Sequence, residues 1–141
     1  MLLVATMIKF DAKLIGYVTT FENLTKAKVK DAFFEKGYLV FIVEEGDAGK
    51  AIGRKGNNIR MISRLLKKKI KLIEFNSDVK EFVKNIIDPL KADEIVEEDN
   101  KIKIRSKDLQ TKSFLIGRNR TNITNLNNTV KKYFNVEVSV V

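Results

Sequence analysis

The chain has 141 residues, 44% of them apolar and only one proline, enough apolar side chains for packed cores and too many for a disordered segment. It contains no cysteine and no histidine, which together exclude disulfides, zinc fingers, thiol or Ser-His nucleophiles and imidazole metal sites; no cofactor, metal or catalytic residue is expected. The net charge of +9 is uneven: residues 1–49 carry 6 basic and 7 acidic side chains, 50–71 carry 9 and none, 72–100 carry 3 and 9, and 101–141 carry 9 and 2.

Residues 1–8 are apolar but lack the basic flank and length of a signal peptide, and no apolar run is long enough to span a bilayer. A soluble cytoplasmic protein without membrane association is the expectation, and the lack of cysteine fits a reducing compartment. Leu14, Ile15, Val18, Phe21 and Leu24 recur at helical spacing and predict an amphipathic helix. Residues 29–34 and 38–43 flank Lys36-Gly37 and predict a hairpin whose second strand is buried. A short helix over 47–52 leads into Gly53-Arg54-Lys55-Gly56. Ile59, Ile62 and Leu66 then predict a second helix, and 69–75 a strand.

The order repeats. Val79, Phe82, Val83, Ile86 and Ile87 predict a helix with Ser77 as N-cap and Asp88-Pro89 as its stop. Residues 94–97 and 101–105 predict a hairpin around Asp99-Asn100. A helix over 107–116 leads into Gly117-Arg118-Asn119-Arg120, Ile123, Leu126 and Val130 predict another helix, and 134–140 the last strand. The two loops lie 64 residues apart, and both stretches read apolar-Ile-Gly-Arg-x-x-x-Asn-Ile. A duplication accounts for this pattern, with units at 1–75 and 76–141. Units of about 70 residues are marginal alone, so the two are expected to pack together.

The first loop has the chemistry of a single-stranded nucleic-acid site. Glycines 53 and 56 leave room for a phosphodiester against the main chain, and the following helix presents free N–H groups to it. Arg54 and Lys55 can neutralise phosphates without reading sequence, while Arg60 and Arg64 extend the positive surface. Ile52 and Ile59 flank the loop; with Ile62 and Leu66 they are expected to be core residues that line a groove only at its edge. Met61, Phe33, Phe34 and Phe75 are assigned to packing. The acidic residues Glu94, Glu97, Glu98 and Asp99 read as a charged turn.

The stretch Ile52-Gly53-Arg54-Lys55-Gly56-Asn57-Asn58-Ile59 resembles the signature of the KH domain, whose Gly-x-x-Gly loop clamps about four nucleotides of single-stranded RNA. The α-β-β-α-α-β order resembles the type II arrangement. The tandem spacing, and the approach segment ending Asp47-Ala48-Gly49-Lys50-Ala51-Ile52-Gly53, are similar to archaeal NusA-like termination and antitermination factors, from about Ile8 onward. The resemblance implies an α+β fold (an α/β sandwich): two tandem type II KH domains, each a three-stranded sheet covered by helices on one face.

It further implies a non-enzymatic factor that binds nascent single-stranded RNA and meets RNA polymerase, with a monomer the simplest state. The residues it marks are Ile52, Gly53, Arg54, Lys55, Gly56, Asn58, Ile59, Arg60 and Arg64, and in the second unit Gly117, Arg118, Asn119 and Arg120. Arginine stands there in place of the second glycine, which leaves that loop either an RNA contact made through Arg118 and Arg120 or a structural copy. No stretch resembles the N-terminal polymerase-binding region or S1 domain of bacterial relatives.

Three other readings compete. One is a general KH protein of RNA processing or ribosome assembly. A phosphate-binding enzyme is suggested by Gly49-Lys50, but Glu44 and Ala51 break the nucleotide-loop pattern. A helix-turn-helix DNA binder is disfavoured because a strand, not a third helix, follows each helix-loop-helix.

Overall fold

A computed structural model describes residues 12–141; the apolar stretch 1–8 lies outside the described residues. The chain divides into two compact units between Phe75 and Asn76.

The first unit runs α1 (Ala12–Thr25), β1 (Val29–Glu35), β2 (Tyr38–Val43), α2 (Ala48–Ile52), a single 3₁₀ turn (Arg54–Gly56), α3 (Asn57–Leu66) and β3 (Lys69–Glu74). β1 and β2 are antiparallel, Phe34 opposite Leu39 and Ala32 opposite Phe41. Lys36 and Gly37 between them both take positive φ (52° and 83°), the backbone of a turn that matches strand twist. β2 then pairs in parallel with β3, Leu39 beside Ile70 and Phe41 beside Leu72. A parallel pair requires a crossover. Here α2, the glycine loop and α3 form it, so the loop lies at the apex of a connection anchored at both ends in one sheet.

Leu39, Phe41 and Val43 face the helices and pack with Phe21, Ala27, Ala51 and Ile62, all essentially inaccessible. The Phe21 and Phe41 rings stack with centroids 4.2 Å apart. Val40 and Ile42, which alternate to the other face of β2, are also buried. Of the apolar set expected to line α1, Phe21 is buried and Leu14 and Val18 pack on the core, but Ile15 (57%) and Leu24 (37%) are exposed. The row 14-18-21-25 is the one that meets the sheet. Thr25 completes it, its hydroxyl donating to the Phe21 carbonyl at 2.8 Å and accepting from the Ala27 N–H at 3.1 Å.

The second unit repeats the order as α4 (Val79–Ile87), β4 (Glu94–Glu98), β5 (Lys101–Arg105), α5 (Leu109–Ile116), a 3₁₀ turn (Arg118–Arg120), α6 (Thr121–Lys131) and β6 (Glu137–Val140). β4 and β5 are antiparallel, and β5 and β6 parallel with Ile102 beside Val138. Ile102, Ile104 and Val138 are buried, as are Phe82, Val83, Leu115, Ile123, Leu126 and Val130. Both units are thus three-stranded α+β sandwiches.

Several element ends differ from the sequence reading. The N-cap of α4 is Asp78, not Ser77: its carboxylate accepts from the Lys80 N–H at 3.0 Å. α5 likewise starts at Leu109 rather than 107, because Asp108 caps it through the Gln110 and Thr111 N–H groups. β6 begins at Glu137 rather than 134, since the Phe134 N–H still bonds back to the Val130 carbonyl.

Candidate nucleic-acid interface

Each loop is built by the same backbone sequence of conformations. Gly53 ends α2 at φ 74°, ψ 176°, its N–H bonded to the Gly49 carbonyl at 3.0 Å. That dihedral pair is essentially open to glycine alone. Lys55 (φ 54°, ψ 28°) and Gly56 (φ 75°, ψ 15°) follow in left-handed conformation, and α3 starts at Asn57. The amide ends of α3 point into the loop, as anion recognition at a helix start requires.

Asn58 holds the two helices at this angle. Its Nδ2 donates to the Lys50 carbonyl at 2.9 Å, across the loop and back onto α2. The amide group fills the space beside Gly53: a Cβ there would lie 2.6 Å from Asn58 Cγ. The first glycine is therefore required by the strut as well as by its dihedrals. Asn122 repeats the arrangement, donating to the Phe114 carbonyl at 2.7 Å, and a Cβ on Gly117 would lie 2.7 Å from Asn122 Cγ. The Gly-x-x-x-x-Asn spacing occurs twice in the sequence and was the signal available for this strut, but spacing alone does not reveal that the two residues touch.

Arg54, Lys55, Arg60 and Arg64 are all exposed, as are Arg118, Asn119 and Arg120. Among the described residues none of these six cations forms an ion pair. Arg60 lies along the loop, its Nη2 donating to Asn57 Oδ1 at 2.8 Å and its Nη1 only 2.9 Å from where a Gly56 Cβ would be. Arg64 follows one turn later on the same face of α3. Ile62 is fully buried and Ile59 packs on the core, but Ile52 is 43% exposed beside the loop. Ile52 is thus a surface residue rather than a core one. Met61 (42%) and Phe34 (49%) also depart from the packing role expected of them. Phe34 sits at the sheet end with Tyr17 edge-on at 6.3 Å and Lys68 Nζ 5.7 Å from its ring centre.

The base of the first loop is braced from the sheet. Glu74 Oε2, at the end of β3, accepts from the Gly46 N–H at 2.8 Å and from the Ala48 N–H at 3.4 Å. Asp47 Oδ2 accepts from the Lys28 N–H at 2.8 Å, and this hydrogen bond, aided by Lys50 3.5 Å away, holds the Asp47 carboxyl below its ordinary pKa. These carboxylates sit behind the loop and serve the backbone. In the second unit the acidic hairpin residues Glu98 and Glu94 pair across the strands with Lys103 (3.0 Å) and Arg105 (3.7 Å).

A model of the KH domain matches residues 17–107. The chain is 39% identical over 88 residues to a protein of Methanococcus vannielii named "Probable transcription termination protein NusA", and 33% identical over 75 residues to one of the same name from Methanocaldococcus jannaschii. These matches take in 62% and 53% of this chain and 51% and 41% of the relatives, so the chain spans about half the length of each or less. Among solved structures, the crystal structure of APE1850 is similar with a TM-score of 0.66 and 27% identity, covering 90% of this chain and 96% of that one.

Proposed function

The chain belongs to the KH-domain family, and from that premise we propose that it binds single-stranded RNA through its glycine loops during transcription elongation, termination or antitermination. The observation that carries the proposal is the first loop: two glycines in conformations that bare the main chain, ringed by Arg54, Lys55 and Arg60 with no carboxylate among the described residues paired to them. The phosphodiester would run over Gly53 and Gly56 toward the first N–H groups of α3, with charge from Arg54, Lys55, Arg60 and Arg64. Ile52 and Ile59 offer an apolar edge to the bases, and Asn58 fixes the loop that presents them. Gly117, Arg118, Asn119 and Arg120 form the corresponding surface in the second unit. Its relatives are named as transcription termination proteins, and a role in termination would make nascent transcript the RNA and RNA polymerase a partner. None of this requires a cofactor or a catalytic group.

Replacing Arg54 and Lys55 together by Asp tests the proposal. Both side chains are exposed, so the variant should keep its circular dichroism spectrum and lose most of its affinity for single-stranded RNA. Neutralising both should lower the slope of log affinity against log salt by about 1.4, at ~0.7 per phosphate contact on a single strand. Wild-type affinity and slope in these variants would remove the first loop from the binding site.

A further inference from the structure

Phe34, near the end of β1, leaves 49% of its surface in water. A single exposed apolar residue signifies little by itself. The repeat, however, shows that the fold does not demand a ring at this place. Phe34 stands opposite the buried Leu39, as Glu97 stands opposite the buried Ile102 in the second unit. Leu39 and Ile102 in turn lie beside Ile70 and Val138 of the parallel strands, so the two positions are equivalent. An exposed carboxylate serves there in one unit and a phenyl ring in the other.

The ring is positioned from two sides. Tyr17 of α1, itself packed on the core, meets it edge-on with centroids 6.3 Å apart. The Lys68 ammonium lies over it, 5.7 Å from the centroid, near the outer limit of a cation–π contact. A built turn places Lys68. Lys67 ends α3 in left-handed conformation, the N–H groups of Lys67 and Lys68 both bond to the Ser63 carbonyl, and Ser63 Oγ donates to the Lys68 carbonyl at 2.7 Å. Arg60, Arg64 and Lys68 follow at four-residue intervals, a cationic row that starts beside the glycine loop and reaches the Phe34 ring after ~15 Å of helix. Among the described residues none of the three forms an ion pair.

We propose that Phe34 is a base-stacking platform that receives a nucleotide of single-stranded RNA beyond those at the first glycine loop, with Tyr17 steadying the ring and Lys68 taking the adjoining phosphate. Such a platform presupposes the RNA-binding reading of the chain and extends it to the opposite end of α3. Charge selects nucleic acid as the occupant: α3 carries cations and no carboxylate, the approach that a phosphate backbone requires. Lys68 has a flexible four-carbon stem, so its ammonium can move to a phosphate and bare the ring face to a base. An aromatic face beside a cationic track holds single strands without reading their sequence.

The test titrates the full chain with two unstructured, fluorescein-labelled oligoribonucleotides. One has about four nucleotides, the length a KH loop clamps; the other has about eight, and its further ~14 Å at ~3.4 Å per nucleotide spans α3. Phe34→Leu keeps an apolar side chain where the second unit tolerates Glu97, so it should fold. It should bind the longer RNA about five- to tenfold more weakly and the shorter one as the wild type does, whereas Phe34→Tyr should bind both normally. Stacking also has its own signature: 2-aminopurine at one end of the longer RNA should be quenched by the wild type and stay bright with Phe34→Leu. Wild-type affinity of Phe34→Leu for the longer RNA, equal losses on both lengths, weak binding by Phe34→Tyr or quenching that ignores residue 34 overturns the proposal. Unchanged RNA affinity in Phe34→Leu with lost binding to RNA polymerase would give the surface to a protein partner and overturns it equally. Arg54→Asp/Lys55→Asp separates the two claims. If it loses both RNAs while Phe34→Leu matches the wild type, only the platform falls; if it binds both normally, the glycine-loop reading falls.

Discussion

At the scale of single residues, the loops are decided by contacts that a sequence shows only as spacing. Gly53 was legible as a glycine next to basic residues, and the proposed approach of RNA would be one reason for it. The Asn58 amide pressed against its Cα is a second, internal reason. Gly53→Ala should therefore destabilise the first unit by roughly 2–4 kcal/mol, combining a glycine-only backbone with a close contact. Gly56→Ala should cost only about 1 kcal/mol, because its added Cβ meets the movable end of Arg60. Asn58→Ala removes the clashing amide, so the double variant Gly53→Ala/Asn58→Ala should lose less than the two single variants together. Urea unfolding of the four proteins measures this; strictly additive losses would show that Asn58 does not constrain Gly53. Exposure was the less legible property. Ile52, Met61 and Phe34 are apolar by type, but their place on the outer side of a turn, helix or sheet end depends on how the elements cross.

At the scale of elements, order and type were readable throughout residues 12–141 because both units carry strong periodicities: the apolar run of β2 and the i, i+3, i+7 rows of α3 and α6. Ends were less readable. Ser77 and Asp78 both have capping side chains, and only geometry shows that Asp78 reaches the Lys80 N–H. The five-residue helix α2 has little intrinsic stability and depends on its braces. Glu74→Ala removes the acceptor for two N–H groups at its start and should cost about 1 kcal/mol while weakening RNA binding. Unchanged RNA affinity would show that the brace does not shape the loop.

Acid should act on the same anchors. Asp47 is held below its ordinary pKa by the Lys28 N–H, and Asp108 by the Thr111 hydroxyl and the first amides of α5. The unfolded chain then binds more protons, so their contribution is complete above about pH 4 and is lost as pH falls through the lowered folded values. Urea midpoints should drop over that range, and Asp108→Asn should flatten part of the drop. A midpoint independent of pH below 4 would contradict both assignments.

At the scale of the whole molecule, charge and duplication carry the functional reading. Residues 50–71 hold nine cations and no acidic residue, and in the structure they run from α2 through the first loop and α3 to β3. The repeat was legible from one shared motif, whereas the shared backbone conformation of the loops was not, because glycine and arginine stand at matched positions. No helix among the described residues is long and apolar enough to cross a membrane. The central claim is that single-stranded RNA is gripped at the glycine loops. Amide chemical-shift mapping by NMR, with a short unstructured RNA titrated into the full chain, tests it most directly. The account predicts the largest changes at Gly53, Lys55, Gly56 and Asn57, with a second, weaker set at Gly117, Asn119, Arg120 and Thr121. Shifts confined to the lysines beyond α3, with both loops unmoved, would contradict it.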